Sequence, residues 1–276
     1  MKKFLPAFIL LCFSYSIHAA TVDTVAIRSN AMQKEYKCVV IKPAANKNKQ
    51  EQFPVIYLLH GYGGWYSNWL LKVPELKDLA DQYRLLIVCP DGGYSSWYIN
   101  SPVDTAWKFE TYIAEEVISF IDARYRTIPN RNGRAITGLS MGGHGGLYLG
   151  FRHADLFGAC GSMSGGVYLR PFPKNWDLVK RLGDTLNHAA NWENYSVINI
   201  VEQKPADSLA IIIDCGTEDF FYSVNHALHE KLLRLKIPHD YIERPGRHDW
   251  AYWSNAVRYQ VVFFSNYFKQ SKTSEK

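Results

Sequence analysis

The chain carries no internal repeat and no low-complexity block, so it is not a repeat array or a disordered tract. Beyond its N-terminus it has no apolar run long enough to cross a bilayer, which excludes stable membrane insertion of the main body. It also lacks a strong excess of either charge. Lys plus Arg is 31 and Asp plus Glu is 26, a formal +5 that falls to +3 once Lys2 and Lys3 are set aside. A balance that mild argues against a nucleic-acid partner. No C-x-x-C pair, no H-E-x-x-H and no P-loop lysine occurs, so nothing asks for zinc, another metal or ATP. Gly61-x-Gly63 and Gly143-x-Gly145 each lack the third glycine of a dinucleotide loop. No cofactor is therefore expected. What remains is globular composition: 276 residues, 47% hydrophobic, 21% charged and 14% aromatic.

Residues 1–20 read as a signal peptide, with a basic start at Lys2-Lys3, an apolar core from Phe4 to Phe13, and small residues at the end. Cleavage is expected after Ala19 or Ala20, giving a secreted or periplasmic protein. Export permits disulfides among Cys38, Cys89, Cys160 and Cys215. Each of the four, however, lies in or beside a strand-like run, so buried free thiols are the expected state.

Strands are expected at 22–29, 35–42, 54–59, 85–89, 134–139, 158–163, 209–214 and 240–243. Helices are expected near 74–83, 106–125, 142–153, 223–236 and 249–268. In the helical stretch 106–125, Phe109, Ile113, Val117, Phe120 and Ile121 share one face. Apolar strands alternating with helices give an α/β fold with a mostly parallel central sheet and helices on both faces. One domain is expected over 21–270. Residues 165–207 read as an irregular, lid-like insertion carrying Tyr168, Trp176 and Trp192, and 271–276 as a frayed tail.

The sharpest chemical signal is Gly138-Leu139-Ser140-Met141-Gly142, a G-x-S-x-G between an expected strand and an expected helix. That context presents a serine on a strained turn, with small neighbours and helix amides beneath it. Serine needs a base, and the partners in such a fold follow in the order serine, acid, histidine. His248 stands in a loop directly after the last strand and is the expected base. His144 sits on the elbow helix and reads as structural, and His226 and His229 read as solvated or packing. The acid comes from Asp214, Glu218 or Asp219. Asp219 is favoured because it lies past the Gly216 turn, where a side chain reaches the histidine. An oxyanion hole would use the Met141 N–H and one amide of His60-Gly61-Tyr62-Gly63-Gly64, with Tyr62 preferred over Gly61 or Gly63.

These motifs, with Ser96-Trp97-Tyr98, Cys215-Gly216-Thr217-Glu218-Asp219 and Gly246-Arg247-His248-Asp249-Trp250, resemble the esterase D or putative esterase family of α/β-hydrolases across about residues 30–268. That family includes feruloyl esterases, tributyrin-type esterases, S-formylglutathione hydrolases and mycolyltransferases. The resemblance implies an α/β-hydrolase fold, nucleophile Ser140, acid Asp219, base His248, and oxyanion amides at Tyr62 and Met141. The leader suits the secreted feruloyl and carbohydrate esterases better than the cytosolic formylglutathione hydrolases.

Aromatics cluster around these motifs, so the expected substrate is a polysaccharide-linked or small aryl or short-acyl ester. Gly61, Trp65, Trp97, Tyr98, Phe220 and Trp250 are the expected substrate contacts. An acyltransferase or a formylglutathione hydrolase-like thioesterase would use the same site. A glycan-binding module would leave Ser140 unreactive.

Overall fold

The computed structural model describes residues 19–45, 50–202 and 209–274. The expected leader lies outside them, apart from its last two residues. Eight strands form one sheet: β1 (Thr21–Ser29), β2 (Lys34–Lys42), β3 (Val55–Leu59), β4 (Leu86–Pro90), β5 (Arg134–Gly138), β6 (Ala159–Met163), β7 (Ala210–Gly216) and β8 (Asp240–Arg244). Their order is β1-β2-β4-β3-β5-β6-β7-β8. β1 and β2 pair antiparallel, β2 runs antiparallel to β4, and every later pairing is parallel. The α/β class and the mostly parallel sheet are as the sequence reads.

The helices are α1 (Asn68–Lys72), α2 (Leu76–Tyr83), α3 (Phe109–Thr111), α4 (Ile118–Arg124), α5 (Met141–Arg152), α6 (Leu178–Leu182), α7 (Ala189–Asn194), α8 (Val197–Ile200), α9 (Tyr222–Arg234) and α10 (Trp250–Ser274). β3 through β6 are buried along their whole length, because helices cover both faces. Alternation then splits β3 between two cores. Tyr57 and Leu59 pack with Ile113, Leu147 and Leu228, while Ile56 and Leu58 pack with Leu76, Val257 and Phe264.

Three expectations need correction. The stretch 106–125 is no uniform helix, because a π turn at Tyr112–Val117 joins α3 to α4. The wider turn buries Tyr112 and Ala114 beside Ile113, so the apolar face is broader than a 3.6-residue period suggests. The segment 165–202 is no loose lid. It folds into α6, α7 and α8 and sends Val167, Leu169, Leu178, Leu182 and Trp192 into the core; residues 203–207 lie outside the described residues. The tail expected at 271–276 continues α10 as far as Ser274. The four cysteines are buried free thiols, and burial pushes the pKa of each upward. Among the described residues, no helix is long and apolar enough to cross a membrane.

Candidate active site

β3, β5, β7 and β8 run parallel, so the loops after all four open on one edge of the sheet. Ser140 lies between β5 and α5 with φ 56° and ψ −115°. L-residues seldom adopt that conformation, and it is held here by the crowding around it. A Cβ on Gly138 would come within 2.6 Å of the Leu59 carbonyl oxygen, and one on Gly142 within 2.6 Å of the Leu59 and His60 carbonyl oxygens. Only glycines at these two positions let the turn close.

His248 follows β8. Its Nε2 accepts the Ser140 hydroxyl at 2.9 Å, and its Nδ1–H donates to Asp219 Oδ2 at 2.8 Å. Asp219 follows β7, and its Oδ1 also accepts the Phe221 N–H at 2.8 Å. The two loops are tied together, because the Thr217 and Glu218 amides donate to the Arg244 and Gly246 carbonyls. Packing pins the imidazole, with Phe220 4.1 Å away and Trp253 edge-on at 4.8 Å. The Asp219 side chain is fully buried.

The other two candidate acids stand elsewhere. Asp214 is buried within β7 and bonded to Arg244 and Tyr252. Burial raises its pKa, against the pull of Tyr252 and Arg244. Glu218 pairs with Arg247 on the surface. His144 is fully buried beneath the site, and His226 pairs with Glu243 on an exposed flank of α9.

The loop after β3 is braced from inside. His60 is buried, and Gly92 N–H donates to its Nε2 at 2.7 Å, which leaves the ring hydrogen on Nδ1. That hydrogen bonds the Gly61 carbonyl at 2.8 Å, and the Gly64 N–H reaches the same oxygen at 3.0 Å. Burial lowers the His60 pKa and favours this neutral form. A trans peptide points its N–H opposite its carbonyl, so the Tyr62 N–H is turned away from these donors. The Met141 N–H is the first of α5 and has no intrahelical acceptor. Neither amide has a hydrogen-bond partner among the described residues.

A cleft of about 490 Å³ opens over Ser140 and His248. Gly61, Tyr62, Trp65, Phe220 and Trp250 line it, as do Trp176, Trp253, Asn68 and Lys72. Trp97 and Tyr98 do not, contrary to expectation. They are 1% and 0% exposed and pack behind the site, because both adopt left-handed backbone that turns their rings inward. Of the insertion's Tyr168, Trp176 and Trp192, Trp176 alone reaches the cleft, and Trp192 is core. Asn68 and Lys72 carry no signal in the sequence, since a five-residue α1 is too short to show a helical period. A larger groove, about 580 Å³ between β8 and α10, has no serine, cysteine or histidine in its lining. No group of three or more His, Cys, Asp or Glu among the described residues could hold a metal ion.

A solved ferulic acid esterase superposes with a TM-score of 0.79 at 28% identity, covering 91% of this chain and 99% of its own. An acetyl esterase of Caldicellulosiruptor saccharolyticus is 25% identical over 83% of this chain and 92% of its own length. An esterase of Mycobacterium tuberculosis is 29% identical over 76% of this chain, which spans only about half (51%) of that relative. The fold is that of the α/β-hydrolases. The family model described as "Putative esterase" matches residues 29–263, most of the chain, and the protein belongs to that family.

Proposed function

We propose that the protein is a serine carboxylesterase, exported from the cytoplasm, that acts on carbohydrate-linked or small aryl and short-acyl esters. The observation that carries this reading is the Ser140–His248–Asp219 hydrogen-bond chain at the floor of an aromatic-lined cleft. Its shape suits acyl transfer. As Ser140 Oγ attacks the ester carbonyl, its proton passes to His248 Nε2 along the existing 2.9 Å contact. Asp219 keeps Nδ1 protonated and stabilises the imidazolium. The carbonyl oxygen gathers negative charge and takes the free Tyr62 and Met141 amides, each worth a few kcal/mol in the barrier. When the tetrahedral adduct collapses, His248 returns the proton to the leaving alcohol oxygen and the acyl group stays on Ser140. Water, deprotonated by the same imidazole, then attacks the acyl-enzyme and restores the serine.

The aromatic lining supports an aryl or sugar ester, because Trp176 stacks on Phe220 at 5.5 Å and 19° and leaves flat apolar surface beside His248. Export rests on the basic and apolar pattern of residues 1–20. The test is hydrolysis of methyl ferulate, acetylated xylan and p-nitrophenyl acetate by the wild type and by Ser140→Ala. The variant is expected to lose turnover of every substrate the wild type cleaves. Wild-type turnover that survives in Ser140→Ala sinks the reading.

A further inference from the structure

Beneath the cleft, His144 is fully buried, with both ring nitrogens facing main-chain carbonyls. Nδ1 is 3.0 Å from the Trp97 oxygen and Nε2 is 2.9 Å from the Tyr195 oxygen. Neither carbonyl has another donor among the described residues. The ring stacks on Tyr148 at 5.4 Å and 19° and meets Trp97 edge-on at 5.4 Å. It therefore bridges two chain segments that do not otherwise share a strand, the loop carrying Trp97 and the insertion carrying Tyr195.

What the bridge holds is strained. Trp97 and Tyr98 have φ of 52° and 57°, two consecutive non-glycine residues in a backbone region that side chains disfavour. The Tyr98 side chain is anchored separately, its hydroxyl donating to the His60 carbonyl at 2.9 Å. The Trp97 indole N–H then donates to the Trp176 carbonyl at 3.1 Å. Trp176 also has left-handed backbone, φ 49°, and its ring lines the cleft against Phe220. A continuous relay thus runs from the nucleophile's helix through His144 and Trp97 to the cleft wall.

We propose that His144 is a positioning residue that presets the Trp176–Phe220 wall of the cleft for an aromatic group of the substrate, acting through Trp97. The inference rests on the ester-hydrolase reading but concerns recognition and not the chemical step. His144 contacts no part of the Ser140–His248–Asp219 chain with its side chain; only its backbone N–H reaches the Ser140 carbonyl, as any α5 residue four positions on would. A neutral imidazole has one N–H; carried on Nδ1, it donates to the Trp97 carbonyl and leaves the Tyr195 carbonyl facing the Nε2 lone pair. Loss of the ring leaves a buried carbonyl without a partner and frees the strained Trp97 turn to relax. The wall then moves, and a preformed slot becomes one that the substrate must order.

The experiment compares wild type, His144→Asn and Trp97→Phe, the last removing the indole N–H that bonds Trp176, together with the indole's outer ring, while keeping an aromatic ring in place. Each is assayed on an aryl ester (methyl ferulate) and a small ester (p-nitrophenyl acetate), and labelled with a fluorophosphonate to read Ser140 reactivity. KM for the aryl ester is expected to rise about tenfold in both variants, with kcat for the small ester and the labelling rate changed less than about threefold. Equal losses on the two esters, or a labelling rate that falls in step with KM, overturn the inference. So does an unchanged aryl KM in Trp97→Phe, which answers the question if His144→Asn does not fold. A wild type that cleaves neither ester and resists labelling refutes the ester-hydrolase reading itself, a result separate from all of these.

Discussion

Two buried carboxylates stand five residues apart at the end of β7, and they differ in what faces them. Asp214 meets Arg244, a permanent cation, and the Tyr252 hydroxyl; Arg244 in turn lies over the rings of Tyr252 at 5.1 Å and Tyr259 at 4.5 Å. Asp219 meets an imidazole whose far nitrogen touches a serine hydroxyl. Burial is the same for both. A guanidinium does not exchange its proton near neutral pH, so the Asp214 cluster can only hold β7, β8 and α10 together. An imidazole does exchange it, so the Asp219 pair can move a proton. The lesson is that the partner, and not the carboxylate or its burial, assigns the role.

Replacing each carboxylate in turn is the strongest way to break that contrast. Asp219→Asn keeps the shape but presents an amide where Nδ1–H needs an acceptor, favouring the wrong tautomer. We expect kcat to fall by about three to four orders of magnitude with little change in KM. A loss under tenfold in steady-state assays would take the acid role from Asp219.

The histidines repeat the contrast and give the next effect in size. His144 has carbonyls where His248 has a carboxylate, and burial lowers its pKa to about 4. The unfolded imidazole takes up its proton near the ordinary value of about 6.5, while the folded one stays neutral until about 4. Between those values the unfolded chain binds more protons, so stability rises with pH in that window. The contribution is complete above about pH 6.5 and is lost as pH falls toward 4, by about 3 kcal/mol at most. Urea midpoints across that range should slope less steeply in His144→Asn than in wild type. Parallel slopes would show that the buried ring is already protonated in the native state.

Asp214→Asn should give the reverse of Asp219→Asn. Asn still accepts from Tyr252, and the Arg244 side chain keeps 18% exposure, so the uncompensated charge is partly solvated. Stability is expected to drop by about 2–3 kcal/mol, less than for a fully enclosed pair, with kcat within about threefold of wild type. A large kcat loss in a folded variant would mean that the two carboxylates share one task.

Much of this was legible in the sequence, because the informative residues announce themselves by local pattern. The run from Tyr57 to Leu59 before His60-Gly61 and the G-x-S-x-G around Ser140 carry strand, turn and helix within a dozen residues. His248 stood out by lying in a loop after the last strand. What escaped depended on contacts far apart in the chain. The inward turn of Trp97 and Tyr98 is set by partners 38 and 47 residues away, His60 and His144. The helical packing of 165–202 is likewise fixed by long-range burial, since α6, α7 and α8 have five, six and four residues, too few for a periodic face to show. Lys72 at the cleft was hidden for the same reason.

The smallest expected effect sharpens the choice of acid. Glu218 neighbours Asp219 in sequence, and its spacing from the Gly216 turn is as suitable, so sequence alone left it open. In the fold its side chain is 53% exposed and its partner Arg247 is 75% exposed, at 3.0 Å. Water screens such a pair, and holding two long side chains together costs most of what the attraction supplies. Glu218→Gln should therefore leave kcat within about twofold and shift the melting temperature by no more than about 2 °C. The same substitution tests the loop brace, since the Glu218 main-chain amide, which holds the Gly246 carbonyl, is untouched. A tenfold fall in kcat would show that the surface carboxylate reaches the imidazole in solution, and the distinction between buried and exposed acids at this edge of the sheet would fail.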